Sequence, residues 1–254
     1  MGTKVGGLKC VTGISGKAMQ FDGSTGYITV PNSTSLNPVS QWTMSFWVKA
    51  QQTSRSASPI LHKGGESDRI IGANREYTVW VDKLPAFEQA SGGDGVGQHY
   101  MYSPKISLAK WIHYVGVIDR VNHVMSIYLN GKKAAQIDDS YSSINNNTHD
   151  LRIGGMEERE PHLWPFFKGT LDDIRLYNRV LTVDEIAGLY NMSQPISGTT
   201  KGLQQINVTC TNTTTGQTVT IPTQTSTAWD CKKAGLKTQP NQAVNISVDG
   251  NTYP

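Results

Sequence analysis

The chain has 254 residues and a formal net charge of +3 at pH 7, and only 17% of its residues are charged. Its lysine and arginine residues are scattered, so nucleic acid is not predicted as a partner. No apolar run is long enough to cross a bilayer, and no membrane span is predicted. The length suits one large β domain, or one medium and one small domain.

Short strand patterns follow one another through the first 140 residues. Apolar and polar residues alternate there, and predict strands at residues 18–21, 27–30, 42–50, 59–62, 76–82, 111–119 and 123–129. Asn130-Gly131 is typical of a type I′ turn and predicts a hairpin into a strand at residues 132–137. Residues 83–105 are rich in glycine and are predicted to form a loop or a weak hairpin.

A short strand is predicted at residues 151–154. Residues 169–190 then change from the alternation of a strand to the residue spacing of a helix. Strict alternation through residue 177 predicts a strand that places Asp172 on the same face as Ile174 and Leu176. Thr182 and Glu185 then have the spacing of a capping box, which predicts a short turn of helix. A carboxylate on a core-facing side needs a partner, and a metal ion is one kind of partner.

The composition changes after residue 192. Residues 193–203 resemble a linker, and residues 204–254 are rich in threonine and asparagine, with strand patterns at 205–210, 217–221, 225–230 and 243–248. A module this short buries little core, so a disulfide would help it to fold. Cys210 and Cys231 are predicted to form that disulfide in an oxidising compartment; two buried thiols are the alternative.

These patterns together predict an all-β fold. Residues 1–192 are expected to form a two-sheet antiparallel sandwich that ends in the short helical turn, because many short strands occur with a single helical signal. Residues 193–203 would be a linker, and residues 204–254 a small β module or β extension held by the cysteine pair.

Five motifs in order carry a resemblance to a known family. They are GKAMQFDG with YITVP at residues 16–31, WTMSFWVK at 42–49, WIHY at 111–114, YLNG at 128–131 and the stretch at 168–191. Their order and spacing resemble the laminin-G-like, concanavalin A-like jelly roll over about residues 8–191. The resemblance implies a two-sheet jelly roll whose loops at one rim bind glycans or proteins. The usual first strand of the family has no visible counterpart before Gly7.

The resemblance also implies a calcium site. By motif position, Asp22 and Asp172 would ligate one Ca²⁺ together with backbone oxygens of residues 23–26, and the ion would tie the first strands to the last. The alternative needs no metal. Asp22 would then cap its own turn, and Asp172 would accept hydrogen bonds from loop amides or from a basic side chain.

No catalytic constellation is found. Related jelly-roll glycanases carry a Glu-x-Asp-x-x-Glu strand, and the stretch that begins Glu66-Ser67-Asp68 has isoleucine at position 71. The chain is therefore expected not to be an enzyme, and a glycoside hydrolase is only a third alternative.

Sugars are bound by aromatic faces together with planar polar groups on loops. Two stretches have that mixture, one around residues 99–102 and one at residues 157–167. Trp47 and Trp80 lie on strand faces opposite the predicted cores. The predicted ligand-binding residues are Tyr100, Tyr102, Trp80, Arg159, His162 and Trp164. For each aromatic residue the alternative is a place in the hydrophobic core.

The sequence therefore predicts a lectin-like, carbohydrate-binding module for adhesion or recognition in a secreted or surface protein. Its partner would be a glycan or glycoprotein. The alternative is a structural or protein–protein module of an extracellular filament or coat, in which the rim loops contact neighbouring subunits.

Overall fold

The structure is a computed structural model. It describes residues 2–51, 57–65, 74–82, 86–92, 98–139, 148–156, 166–192, 197–199, 206–223, 228–239, 242–248 and 251–253. The chain forms two compact units, Met1–Ile186 and Ala187–Pro254. None of the helices in the described ranges is long and apolar enough to span a membrane.

The first unit consists of two antiparallel sheets of seven strands each. In chain order its strands are β1 (Thr3–Val5), β2 (Leu8–Thr12), β3 (Lys17–Asp22), β4 (Tyr27–Val30), β5 (Gln41–Ala50), β6 (Ser58–Gly65), β7 (Asn74–Val81), β8 (Phe87–Gly92), β9 (Gln98–Tyr102), β10 (Ile112–Asp119), β11 (Val124–Leu129), β12 (Lys132–Asp138), β13 (Leu151–Ile153) and β14 (Lys168–Tyr177). The first sheet has the order β1-β4-β13-β6-β7-β8-β9, and the second has the order β12-β11-β10-β5-β14-β3-β2. The predicted all-β sandwich is confirmed.

The core lies between the sheets and is built by the predicted alternation. In β5, Trp42, Met44, Phe46 and Val48 are fully buried in one cluster. The neighbouring strand β10 contributes Tyr114, whose ring stacks on Phe46 with the centroids 4.8 Å apart. The faces turned towards each other therefore form one continuous hydrophobic layer.

The region predicted as a loop or a weak hairpin contains two strands. Residues of β8 pair antiparallel with β9, for example Glu88 with Tyr102 and Ala90 with Tyr100. The chain also has early strands that the sequence did not reveal. β1 pairs with β4 and β2 pairs with β3. The absence of the usual first strand of the family stays a prediction.

The strand β14 changes its period in the middle. A β-bulge lies between Asp172, which pairs with Trp47, and Arg175, which pairs with Ser45. Asp173 there has a φ of 49°. The extra residue shifts the alternation by one position, so Leu171 and then Ile174 both pack on the core. Asp172 therefore lies on the opposite face from Ile174 and Leu176, and the prediction that they share a face is wrong.

The helix α1 (Val183–Met192) begins with the predicted capping box and is longer than one turn. The Glu185 amide donates to Thr182 Oγ1 at 3.2 Å, and the Thr182 amide donates to the Glu185 carboxylate at 2.8 Å. Arg179 donates two further hydrogen bonds to the same carboxylate. These contacts fix the point at which the chain leaves β14 and enters the helix.

The second unit is small and rich in strands. They are β15 (Ser197–Thr199), β16 (Ile206–Asn212), β17 (Thr218–Thr223), β18 (Ala228–Asp230), β19 (Val244–Val248) and β20 (Asn251–Tyr253). The predicted disulfide between Cys210 and Cys231 is present, and both cysteines are buried beside Val208 and Leu236. β15 falls within the residues predicted to be a linker, and the proposed domain boundaries stay a prediction.

Candidate functional site

The outer face of the first sheet, which points away from the core, carries a row of polar and aromatic side chains. We define this outer face by Tyr27 and Thr29 of β4, Arg152 of β13, His62 of β6, Thr78 and Trp80 of β7, Glu88 and Ala90 of β8, and Tyr100 and Tyr102 of β9. Their chain neighbours, such as Ile153 and Met101, belong to the hydrophobic core. Alternation along each strand therefore places them on this side.

Two tyrosines form the exposed end of the outer face. Tyr100 and Tyr102 lie two residues apart on the edge strand β9 and are 41% and 53% exposed. Partial burial raises the pKa of Tyr102, and the nearby Glu88 carboxylate raises it further by accepting the hydrogen bond of the phenol. The hydroxyl thus stays protonated, and the two rings present apolar faces to solvent at the sheet edge.

The middle of the outer face is buried. Trp80 is 2% exposed and packs with Ala90 and Met156. His62 is fully buried between Thr78 Oγ1 at 3.1 Å and the Gly64 carbonyl oxygen at 2.7 Å. Because that carbonyl can only accept, His62 Nε2 carries the hydrogen. These side chains hold the strands of the face together.

The far end of the outer face carries a stacked cation. The Arg152 guanidinium lies 4.7 Å from the ring centroid of Tyr27. The Tyr27 ring in turn stacks on Phe166, with the centroids 6.1 Å apart. Cation–π contact holds the guanidinium in place and leaves its planar donors available at the edge of the ring. Sequence reasoning missed Arg152, although a charge between the core residues Leu151 and Ile153 was a usable signal.

The structure thus places three predicted ligand-binding residues, Tyr100, Tyr102 and Trp80, on one face. The other three, Arg159, His162 and Trp164, lie outside the described residues. Tyr100 and Tyr102 are accessible, whereas Trp80 is covered. Ligand contact by any of the six residues stays a prediction.

The two predicted calcium ligands are occupied by hydrogen-bond donors. Asp22 Oδ1 accepts the backbone amides of Ser24, Thr25 and Gly26 at 2.9–3.0 Å, and Oδ2 accepts the Thr25 hydroxyl at 2.7 Å. Partial burial acts to raise the pKa of Asp22, but these four donors outweigh it and hold the pKa well below its usual range. Asp22 therefore caps its own turn.

The Asp172 carboxylate also accepts backbone amides, mainly from the turn between β2 and β3. Its Oδ2 accepts the amides of Ile14 and Ser15 at 2.8 and 3.2 Å, and its Oδ1 accepts the amide of Asp173 at 2.9 Å. Gly13 lies against the same carboxylate, where a Cβ atom would clash with Oδ2. Asp172 thus fastens the turn between β2 and β3 to the last strand.

The two carboxylates do not fit a single shared ion. Asp22 pairs with Lys168, and Asp172 lies four residues further along β14. At about 3.3 Å per residue the two backbone positions are about 13 Å apart, whereas calcium–oxygen bonds are about 2.3–2.6 Å. The described ranges contain no group of three acidic, histidine or cysteine side chains placed to hold a metal. Calcium binding stays a prediction from the resemblance.

Asp172→Ala tests the two roles of this carboxylate. We expect a loss of about 2 kcal/mol in the free energy of unfolding, because three amides lose their acceptor. The loss should be equal with excess Ca²⁺ and with EDTA, as measured by chemical denaturation. Asp138→Ala is the control at an exposed position of β12. A loss that appears only when Ca²⁺ is present would support the calcium hypothesis.

Comparison with known proteins assigns the chain to a family. Residues 22–187 match the model described as the concanavalin A-like lectin/glucanases superfamily. The match covers more than half of the chain, so the protein belongs to this superfamily. No curated protein sequence matches it.

Solved structures with the same fold include domains of larger bacterial proteins. Domain 4 of AbnA, an extracellular arabinanase of Geobacillus stearothermophilus in complex with arabinotriose, has 20% identity and a TM-score of 0.55 over 74% of this chain and 87% of its own. The Ruminococcus gnavus sialidase CBM40 bound to α2,3 sialyllactose has 15% identity and a TM-score of 0.56 over 68% and 96%. The binding domain of botulinum neurotoxin serotype G has 11% identity and a TM-score of 0.60 over 98% and 68%. The TM-scores show a common fold, and at these low identities the comparison shows the fold alone.

Proposed function

We propose that this protein is a carbohydrate-binding module whose ligand site includes the tyrosine end of the outer face. The observation that carries the proposal is the pair of exposed rings, Tyr100 and Tyr102, on one side of an edge strand. Two exposed aromatic rings side by side form a platform of the kind that ligand-binding surfaces use. The rings suit the C–H faces of a sugar, and the nearby Glu88 suits its hydroxyls.

Solved structures of the same fold support a glycan as the ligand. The arabinotriose complex and the sialyllactose complex are both formed by domains of this fold. At 20% identity or less neither ligand transfers to this chain residue by residue, so the proposal is limited to the class of ligand. Arg152 lies four strands from β9, about 19 Å at about 4.8 Å per strand, so it would bind a carboxylate only on a glycan long enough to span the face.

The predicted loop residues Arg159, His162 and Trp164 are part of this proposal. They are separated by a few residues from Met156, which packs on Trp80, and from Phe166, which packs on Tyr27. The two described residues that flank this segment therefore both lie against the outer face.

We propose further that the protein acts without catalysis, outside the cell or on its surface. The Cys210–Cys231 disulfide supports an oxidising compartment. Adhesion through a glycoprotein would fit such a place. A role as a subunit of a filament or coat remains the alternative.

Tyr102→Ala is expected to weaken binding of the best ligand on a printed glycan array by about tenfold. The physical reason is the loss of a stacking ring at a desolvated contact, and tenfold corresponds to about 1.4 kcal/mol. Isothermal titration calorimetry with that glycan measures the change.

Two controls separate binding from folding. Tyr102→Phe keeps the ring and should retain most of the affinity, whereas Val121→Ala removes an exposed apolar side chain elsewhere and should change nothing. Equal affinity of Tyr102→Ala and the unmodified protein would remove Tyr102 from the site. An array without any saturable signal would support the filament alternative.

A further inference from the structure

A cleft of about 510 Å³ lies where β5 begins and β14 ends. One wall is the loop before β5, with Asn37, Val39 and Ser40, and the other wall is formed by Tyr177 and Asn178. The volume is within the range of small-molecule sites in proteins, about 300–1,000 Å³. The cleft belongs to the first unit and shares no lining residue with the outer face.

The lining of the cleft is polar and uncharged. None of the described residues that line it is acidic or basic; they are hydroxyl, amide and apolar side chains with the single aromatic ring of Tyr177. Val39 contributes an apolar side chain that is 69% exposed. A charged ligand would find no counter-ion in this lining, whereas hydroxyl groups would find donors and acceptors.

One of these polar groups has no partner within the described part of the chain. Asn37 Oδ1 is buried and makes no hydrogen bond. Buried polar groups are nearly always paired in folded proteins, so an orphaned acceptor here calls for an explanation. A ligand hydroxyl in the cleft supplies one, because no hydrogen bond holds the Asn37 amide and it can turn its oxygen towards a donor.

The frame around the cleft is held firmly. Gln41 Nε2 donates to Asp119 Oδ1 at 2.8 Å, and the Arg120 amide donates to the Ser40 carbonyl at 3.0 Å. Tyr177 lies on β14, where it pairs with Thr43 of β5. Both walls are therefore anchored to the same sheet, and the cleft is formed before any ligand arrives.

We propose that this cleft is a second ligand site and that it binds an uncharged saccharide. The Tyr177 ring would pack on a sugar face, and the amides of Asn37 and Asn178 would bind hydroxyls. The uncharged lining distinguishes this site from the outer face, which carries the Arg152 guanidinium over Tyr27. The proposal rests on the cleft itself and does not depend on the outer face.

Saturation-transfer difference NMR tests the proposal on the complete chain. The probes are lactose, cellobiose and arabinotriose, with 3′-sialyllactose as the acidic partner of lactose. We expect saturable transfer to at least one neutral probe. Tyr177→Ala should weaken that binding by tenfold or more, and Tyr102→Ala should change it by less than twofold.

A second variant guards against loss of folding. Asn178 is exposed, so Asn178→Ala should leave the far-ultraviolet circular dichroism unchanged and still weaken the neutral probe severalfold. Absence of transfer to every neutral probe would overturn the proposal. It would also be overturned if both cleft variants bound the neutral probe as tightly as the unmodified protein does. Loss of sialyllactose binding in Tyr102→Ala, with neutral binding intact, would support both sites. The reverse pattern, with the acidic ligand bound only through Tyr177, would overturn the assignment of charge preference.

Discussion

Lys63→Met is expected to lower the melting temperature of the first unit by about 10 °C. Lys63 and Glu76 are fully buried, with Lys63 Nζ 3.5 Å from Glu76 Oε2, and Lys63 also donates to the His149 carbonyl at 2.7 Å. Removing one charge of a buried pair costs about 3–5 kcal/mol. Each kcal/mol shifts the melting temperature of a domain of this size by about 2–4 °C.

The stability lost in Lys63→Met should be larger at higher pH. Burial raises the pKa of Glu76 to about 7, although Lys63 and then Arg120 act to lower it. A carboxyl group whose pKa is raised on folding stabilises the fold below its unfolded pKa, near 4.5, and this contribution disappears as the pH rises through 7. Without the Lys63 charge, the ionised Glu76 carboxylate loses its main favourable electrostatic partner. Lys63→Met should therefore lose more stability at pH 8.5 than at pH 5.5.

Two variants check this account of the buried pair by differential scanning fluorimetry. Lys132→Met makes the same change at an exposed position of β12 and should shift the melting temperature by less than 2 °C. Lys63→Met combined with Glu76→Leu should recover most of the loss, because both buried charges are then gone. If the double variant is no more stable than Lys63→Met, the buried charge of Glu76 is not the cause.

Reduction of Cys210–Cys231 is the second large effect, and it should unfold the second unit. The bridge spans a sequence separation of 21 residues, and closing such a loop stabilises a fold by about 3 kcal/mol. The buried core described for this unit consists of Val208, Leu236 and the two cysteines, which is too little to replace that contribution.

Calorimetry with and without a reducing agent measures this effect. We expect one transition to be lost on reduction and in Cys210→Ala/Cys231→Ala, while the transition of the first unit persists. Cys10→Ala is the matched control, since Cys10 is an exposed free cysteine of the first unit. Two unchanged transitions after complete reduction would contradict the stabilising role of the bridge.

The sequence predicts most strands of the sandwich because period-2 alternation is a local signal. Residues 42–50, for example, alternate so regularly that the burial of Trp42 and Phe46 follows directly. The same reasoning fails at Asp172, because a β-bulge inserts one residue without any local mark in the sequence. The misplaced charge that suggested a metal ion was a consequence of assuming one uninterrupted period.

The site residues were harder to predict than the fold because they depend on contacts between distant segments. Trp80 was correctly placed on the outer face, yet Met156, far along the chain, covers it. Arg152 could not be placed from the sequence, because it lies over the Tyr27 ring only when β13 pairs with β4. The cleft at Asn37 and Tyr177 joins a loop without periodicity to the end of a distant strand, and no sequence pattern marks it.

A glycan is expected to bind the tyrosine end of the outer face. Chemical-shift mapping of the isotope-labelled protein, titrated with its best-binding glycan, tests this contact. We expect saturable shifts of the backbone amides of Glu88 and of residues 100–102 of β9, and loss of those shifts in Tyr100→Ala/Tyr102→Ala. Saturable shifts that leave β8 and β9 untouched, or the absence of any glycan-induced shift, would contradict it.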